Sequence, residues 1–512
     1  MPASRHLTAS ISFFLRTTRR HLGVLLLPAT VATPSPACGA PATGNADRPN
    51  VLIICTDDHR ADALGCMGNR HLHTPNIDRI ATLGTVFRNA YMTGSDSGAL
   101  CMPSRAMLMT GRNFPRIKRQ DGWDLAPQPT LPSILRDHGY RTHMTGKWHN
   151  GGAALSRAFP DTGPVLLGGM GDHLRKQVVS VGNGVISRPA DIAKHSTEVF
   201  TEGALDFISS LGPGGPPFFL YLAYSAPHDP RQPTSPWRER QEKSLPPLPP
   251  DFMPRHPFNN GALLIRDEHL APWPRPESLI REQTAHYYAM IEQVDHGVGR
   301  IIDALAKSGR LDRTIIVFAG DNGLALGSHG LLGKQSAYEH SLRVPLIIAG
   351  PELAVDNKHF GLAAIHDIMP TILDLAGIPL QEDLDGRSLG PALGGENQPV
   401  RRRLSLSVSF GDLSVHALRE GPWKLVRYPY LDRTQLFHLG NDPHELQDLA
   451  GKADHGSRIA RMLQTLGAEM LASGVDENLV TERRIDAQMD WSKVVQRMDP
   501  HQPLWIRKRF SR

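Results

Sequence analysis

The sequence predicts an α/β fold: a large, mostly parallel central sheet with helices on both faces, plus a smaller C-terminal subdomain with an antiparallel sheet. Three observations predict it. Wholly apolar runs of strand length recur along the chain and alternate with segments of helical period. These runs break off into loops rich in Asp, Lys, His and Gly, the pattern of a sheet whose carboxyl edge carries a site. From about Arg401 the texture changes to short runs with strand alternation. The 512 residues suffice for a large core and a smaller companion.

The N-terminus reads as an address. Arg16 to Arg20 is basic, Leu22 to Ala32 (LGVLLLPATVA) is a short apolar run, and the small, polar PACGAPATGNADRPN follows. These are the three regions of an export signal, and the apolar run is too short to span a membrane. Thr18-Arg19-Arg20-His21-Leu22 also resembles a twin-arginine signal, so the expected location is periplasmic or extracellular. Cys38 is not expected to carry a lipid, because Ser35 stands where a lipid-attachment motif needs an aliphatic residue.

The first strand is Asn50 to Cys55 (NVLIIC), leading into Thr56-Asp57-Asp58. In TPNIDRIATLG, Thr74 caps a helix, Pro75 takes its first position and Gly84 stops it. Cys101 opens the next helix, with polar residues before it and an apolar run after it, and so reads as a displayed thiol. LPSILRDHGYRTHMTGKWH gives a helix to about His138 and a strand from Tyr140 to Met144, with Lys147 and His149 beyond. Pro217 to Tyr224 is a buried strand leading to His228. The Pro-rich stretch Leu245 to Pro276 is a long irregular loop, either a cleft wall or a surface excursion. A helix from about Glu277 to Lys307 repeats Ile291, Val294, Val298, Ile301 and Leu305 at helical spacing. The strand Thr314 to Ala319 ends in Gly320-Asp321-Asn322. In the C-terminal region RRLSLSVSF, LSVHALREG and PWKLVRYPY read as antiparallel strands, LFHLGNDPHELQDLAG as a turn and helix, and the chain beyond about Asp476 as an appended tail.

The charges narrow the function. With 56 basic and 51 acidic residues and no basic stripe, nucleic acid is not an expected partner. Three cysteines after the export signal make no disulfide framework, and Cys55 lies in an apolar strand as a small hydrophobe. Asp57 with Asp58, and Asp321 with Asn322, each follow a buried strand. Two unneutralised aspartates at a sheet edge repel one another, which a cation between them would relieve; the alternative is that each only caps the next helix. All-oxygen ligands favour calcium or magnesium over zinc. Arg105, Lys147 and Lys334 sit in short motifs (CMPSR, TGKWH, HGLLGKQ) that, with a metal and a helix N-terminus at Cys101, would hold a tetrahedral oxyanion.

CMPSR followed by TGR resembles the C-x-P-S-R signature of the type I, formylglycine-dependent sulfatases of the alkaline-phosphatase superfamily. NVLIICTDDHRADALGC, TGKWH, YSAPHDP, FAGDNG, GSHGLLGKQSAYEHSLRVPL and LFHLGNDPHELQDLA are similar to further blocks of that family, in order, from about Pro49 to Gly451. The resemblance implies that Cys101 is oxidised to formylglycine by a formylglycine-generating enzyme, for which the thiol must be accessible. It implies one calcium ion held by Asp57, Asp58, Asp321, Asn322 and the modified Cys101. It further implies that Arg105 steadies the aldehyde hydrate, Lys147 and Lys334 bind sulfate oxygens, His149 contacts the second hydroxyl and His228 protonates the leaving oxygen. Asn322 stands where some relatives have histidine, and the role of His329 stays open.

The expected organisation is then a signal and linker (1–46), a sulfatase catalytic domain (47–398), the antiparallel-sheet subdomain (399–475) and a tail (476–512). The expected activity is hydrolysis of a sulfate ester, on a small molecule or more readily a sulfated glycan, with no membrane span. A phosphonate or phosphodiester hydrolase on the same scaffold is the alternative; a non-catalytic glycan-binding relic fits an intact site poorly. Groups gripping the leaving alcohol are expected in Gly151 to Lys194, the Pro-rich loop and the C-terminal subdomain.

Overall fold

The computed structural model describes residues 48–117, 119–120, 124–125, 128–410, 413–475 and 484–494. The export signal read in residues 1–46 and most of the tail lie outside the described residues. Among the described residues the main sheet contains β1 (Asn50–Thr56), β2 (Gly84–Tyr91), β4 (Arg141–Lys147), β5 (Val165–Leu166), β6 (Phe218–Ala223), β7 (Thr314–Gly320), β8 (Arg343–Val344), β9 (Leu346–Ala349) and β10 (Asn357–Ala364), with β3 (Gly94–Ser95) reserved for a second sheet. The order is β8-β2-β9-β7-β1-β6-β4-β5, with β10 beside β2. β1 lies parallel between β6 and β7, β4 is parallel to β6 and β5, and only β8 and β9 run against their neighbours. The expected mostly parallel sheet is present.

Strand periodicity divides the core. Val51, Ile53 and Cys55 face one hydrophobic cluster and Leu52 and Ile54 the other. Helix α2 (Cys101–Thr110) and α3 (Leu131–Asp137) pack into the first cluster; α1 (Pro75–Thr82), α4 (Ser196–Ser209) and α5 (Glu277–Lys307) pack into the second. All five of these β1 side chains are fully buried, at about 1.5–3 kcal/mol for each larger aliphatic one.

The second sheet runs β14 (Arg433–His438), β13 (Trp423–Tyr428), β12 (Leu413–Glu420), β11 (Arg403–Phe410) and then β3. β3 comes from the segment just before Cys101, so this sheet is stitched directly to the start of α2. The approach is close: a Cβ on Gly94, at φ 138°, would lie 1.8 Å from the Ser407 carbonyl oxygen. Helix α6 (Gly456–Ala472) closes the outer face through Met462, Leu466 and Met470 against Leu418, Leu425 and Leu436. The described part of the tail also docks, with Asn259 N donating to Ala487 O at 2.8 Å.

Three readings are corrected. Gly84 does not stop α1, which ends at Thr82 with Leu83 as its cap; it opens β2, where a Cβ would meet Ile348 O at 2.2 Å. The strand read as Tyr140 to Met144 continues through Lys147, which therefore ends the strand rather than following it. No helix forms in the described chain between His438 and Gly451. Asp442 accepts the N–H groups of Leu446 and Gln447, and Asp448 those of Leu436 and Ala450, so side chains take donors a helix would use.

Candidate active site

The parallel strands end together, and their loops interlock at one edge. Asp57 N donates to Ala226 O at 3.2 Å and Asp321 N to Thr56 O at 3.0 Å, extending the ladder past β1, β6 and β7. That brings Asp57 and Asp58 beside Asp321 and Asn322: Asp58 N donates to Asp321 Oδ1 (3.0 Å) and Asn322 Nδ2 to Asp58 Oδ1 (2.8 Å).

Cys101 occupies the first position of α2, where backbone N–H groups lack helical partners and favour negative charge. Lys147, at the end of β4, sits between two acceptors: its Nζ is 2.5 Å from Asp57 Oδ2 and 3.4 Å from Cys101 Sγ. Lys334 Nζ is 2.6 Å from Asp58 Oδ1. The aspartates are thus not unneutralised, as the sequence led us to expect; each has its own buried ammonium. Burial opposes the charges of Asp57, Lys147 and Lys334, yet Asp57 lifts the Lys147 pKa and Asp58 lifts that of Lys334, while Lys147 holds the Asp57 carboxylate ionised far below its usual range.

Arg105 lies one turn after Cys101 on the same helix face. Its guanidinium donates to Asp321 Oδ2 (3.0 Å), the Lys147 carbonyl (2.9 Å) and the Tyr221 hydroxyl (3.3 Å), tying α2 to β4, β6 and the loop after β7. His149 Nδ1 is 3.3 Å from Cys101 Sγ; burial, reinforced by Lys147, drops its pKa to about 2 and keeps the ring neutral. His228 donates from Nδ1 to the Asp229 carbonyl (2.7 Å), which leaves Nε2 facing Asp58 Oδ2 at 3.5 Å. His329 does not join this group: it stacks on Tyr338 with ring centroids 4.1 Å apart, and its Nε2 meets the His444 carbonyl.

Cys101 is not displayed as its sequence context suggests. It is 3% exposed, at the floor of a cavity of about 380 Å³, and burial raises its thiol pKa. Besides the catalytic candidates, the cavity is lined by Gly98 and Ala99, Gly169 and Met170, Ile265 to Asp267 of the Pro-rich loop, Gln335, and Phe410 of β11. The Pro-rich loop is therefore a cleft wall. Sequence reasoning missed Asp229, which pairs with Arg266, and Gln335, whose amide bridges Asp267 and Gly98 O. Only their neighbourhood to His228 and Lys334 in the chain pointed to them.

The donor set fits a metal ion. Asp57, Cys101 and Asp321 each offer one ligand atom, and these atoms lie within 4.8 Å of one another. Asp57 Oδ1 and Asn322 Oδ1 are buried oxygens without a hydrogen-bond donor, and Asn322 uses its Nδ2 on Asp58 and Gly323 O. Burial, with Asp57 nearby, raises the Asp321 pKa to about 7, an unfavourable electrostatic position that a cation would relieve.

Comparison with known proteins places this geometry. The Sulfatase family model matches residues 49–378, and the model for the C-terminal part of N-sulphoglucosamine sulphohydrolase matches 327–471. The chain is 27% identical to an N-acetylglucosamine-6-O-sulfatase of Bacteroides thetaiotaomicron, covering 86% of this chain and 89% of that one. It is 31% identical to a choline-sulfatase of Rhizobium meliloti, covering 79% and 82%. A solved structure in complex with its substrate D-glucosamine-2-N,6-O-disulfate shares the fold, with a TM-score of 0.72 at 24% identity over 83% of this chain and 98% of that one. Family match and alkaline-phosphatase-like fold agree, and this chain belongs to the sulfatase family as a sulfuric ester hydrolase.

Proposed function

We propose that the chain is an exported hydrolase of sulfated carbohydrate that works through formylglycine made from Cys101 and one calcium ion. The observation that carries this reading is Cys101 at a helix N-terminus, within reach of Lys147, His149 and the Asp57–Asp321 pair. Asp57, Asp58, Asp321 and Asn322 would hold calcium together with the converted residue 101; the ion supplies positive charge for a sulfate oxygen. Formylglycine supplies an aldehyde hydrate, whose one hydroxyl attacks sulfur while the other later lets sulfate leave by C–O cleavage.

The protein's own residues do the rest. The buried ammonium groups of Lys147 and Lys334 neutralise sulfate oxygens, with little competition from water. Neutral His149 accepts a proton beside residue 101. His228, with its Nδ1–H held by the Asp229 carbonyl and Nε2 facing Asp58 Oδ2, protonates the departing alcohol from Nε2 when the ring carries both protons. Arg105 keeps α2, β4 and Asp321 in register. The carbohydrate assignment follows from the relatives above and from a cavity that joins apolar Phe410 and Met170 to polar Arg266, Asp267 and Gln335.

Conversion is tested on the tryptic peptide Asn89 to Arg105, from protein made in a host with the modifying enzyme. The expected mass is that of thiol-to-aldehyde conversion; an unmodified thiol in active protein overturns the mechanism. A panel of sulfated saccharides, choline sulfate and aryl sulfates tests the substrate class. A second reading, phosphorus-ester hydrolysis, draws on 28% identity to a multifunctional alkaline phosphatase superfamily protein of Trinickia caryophylli. A larger kcat/KM for aryl phosphonate than for aryl sulfate would favour it.

A further inference from the structure

Behind the loop that carries His228 lies an ammonium group that the mechanism above does not use. Lys176 is 3% exposed, and its ammonium sits against a hydroxyl and an imidazole. Its Nζ donates to Ser225 Oγ at 3.0 Å and lies 3.4 Å from His173 Nδ1. The opposite nitrogen of the same ring, His173 Nε2, meets the His228 carbonyl at 3.0 Å. An ammonium can only donate and a carbonyl can only accept, so both contacts demand one tautomer: Nδ1 bare, Nε2 protonated. The Ser196 hydroxyl, 2.8 Å from Nδ1, is compatible with it. His173 also stacks on His195 with centroids 5.2 Å apart, so the ring is fixed in plane as well as in protonation.

Resting on the proposed sulfate-ester reaction, we propose that Lys176 is a positioning residue that locks the His228 loop through His173 and Ser225 and places positive charge behind the sulfate pocket. An unpaired buried ammonium is costly to keep and is retained only where its charge or its donors serve something else. His173 lies against it, and its charge is felt by His195 and interacts at longer range with Lys147 and Asp57 of the sulfate site and with Asp229 and Asp172. Burial, with Lys147 adding to it and the aspartates opposing, brings the Lys176 pKa down to about 7. The charge is therefore present below neutrality and lost above it. Anion binding follows the same course: tighter in mild acid, weaker in mild base.

The test is steady-state kinetics on an aryl sulfate from about pH 6 to about pH 9, with Lys176→Met and Lys176→Arg beside the unsubstituted enzyme. KM of the unsubstituted enzyme is expected to rise about tenfold through neutrality. In Lys176→Met it should be high and flat, with kcat lowered as the His228 loop loosens. In Lys176→Arg, whose guanidinium does not titrate in this range, KM should stay low and flat. An inflection near neutrality that persists unchanged in either variant, with the melting temperature preserved, overturns the proposal. Calorimetric affinity for inorganic sulfate, measured on the same variants in a Cys101→Ala background, reads the charge effect without turnover. If the unsubstituted enzyme releases no sulfate from any ester, the proposed reaction falls, while a pH-dependent sulfate affinity that vanishes with Lys176 still upholds the electrostatic role.

Discussion

His149 Nδ1 lies 3.3 Å from the Cys101 sulfur, and both groups are kept uncharged by their surroundings. A buried thiol beside a neutral imidazole is an S–H donor facing a free acceptor, so the unconverted cysteine is a poor nucleophile. The pair makes sense when residue 101 carries a hydroxyl whose proton His149 can take. Cys101→Ala is expected to abolish sulfate release, and His149→Ala to lower kcat about 10²–10³-fold with a smaller change in KM. Single-turnover sulfate release measures both. Wild-type turnover by the Cys101→Ala protein would remove the nucleophile from the mechanism.

Gly169 gives a sharper probe of the same histidine. A Cβ at this position would sit 2.7 Å from His149 Cε1 and 2.7 Å from Nε2, so the imidazole must move to admit it. Gly169→Ala is expected to displace the imidazole from residue 101. Activity should drop about tenfold or more at nearly unchanged melting temperature, since Gly169 lies at the cavity wall and not in the core. Full activity in this variant would show that His149 tolerates displacement and does not act on residue 101.

Calcium can be tested without turnover. Asn322 Oδ1 has no donor, and its amide is oriented by Asp58 and Gly323. A ligand that binds only the folded chain stabilises it by about 2.7 kcal/mol at a hundredfold excess over Kd. The melting temperature should fall on chelation and recover on adding calcium, and Asn322→Ala should blunt that recovery. An equal calcium response in Asn322→Ala would remove this oxygen from the metal site.

Much of the site was legible because buried parallel strands must be apolar throughout, which makes their polar ends conspicuous. Asp57, Lys147, His228 and Asp321 all stand at or just beyond such ends and meet at one edge. What the sequence concealed was tertiary. Cys101 reads as displayed because its neighbours are small and polar, but the fold leaves it only 3% exposed among the cavity residues. Lys176, in DHLRKQ, looks like ordinary solvated charge until the fold buries it behind His228. The absent helix after His438 was concealed by short-range chemistry, because Asp442 and Asp448 compete with helical hydrogen bonding by amounts that residue pattern does not reveal.

The segment carrying Lys334 is anchored a few residues later by a buried triad. Lys424 Nζ of β13 lies 2.9 Å from Glu339 Oε1 and 2.8 Å from Glu445 Oε1, and Glu445 Oε2 also accepts from Glu339 N at 2.7 Å. One ammonium cannot neutralise two carboxylates, and the environment divides them. Burial opposes ionisation of both; Lys424 holds Glu339 down to about 2, while Glu339 reinforces burial in raising Glu445 to about 7. For Glu445 the folded value lies above its unfolded value, so its contribution is full below about pH 4.5 and lost as pH rises through about 7. For Glu339 the folded value is depressed, so its contribution holds above about pH 4.5 and fades only as pH falls toward 2. Thermal unfolding should therefore show stability declining between about pH 5 and pH 8, and Glu445→Gln should flatten that decline. Lys424→Met leaves Glu445 without its ammonium and Glu339 with the more distant Arg343 at 3.5 Å, which costs about 3–5 kcal/mol. Because Glu339 follows Lys334 by five positions, the damage should reach the site: KM for an aryl sulfate should rise in Lys424→Met more than in Glu445→Gln. Equal KM in the two variants would separate the triad from substrate binding and leave it a purely structural anchor.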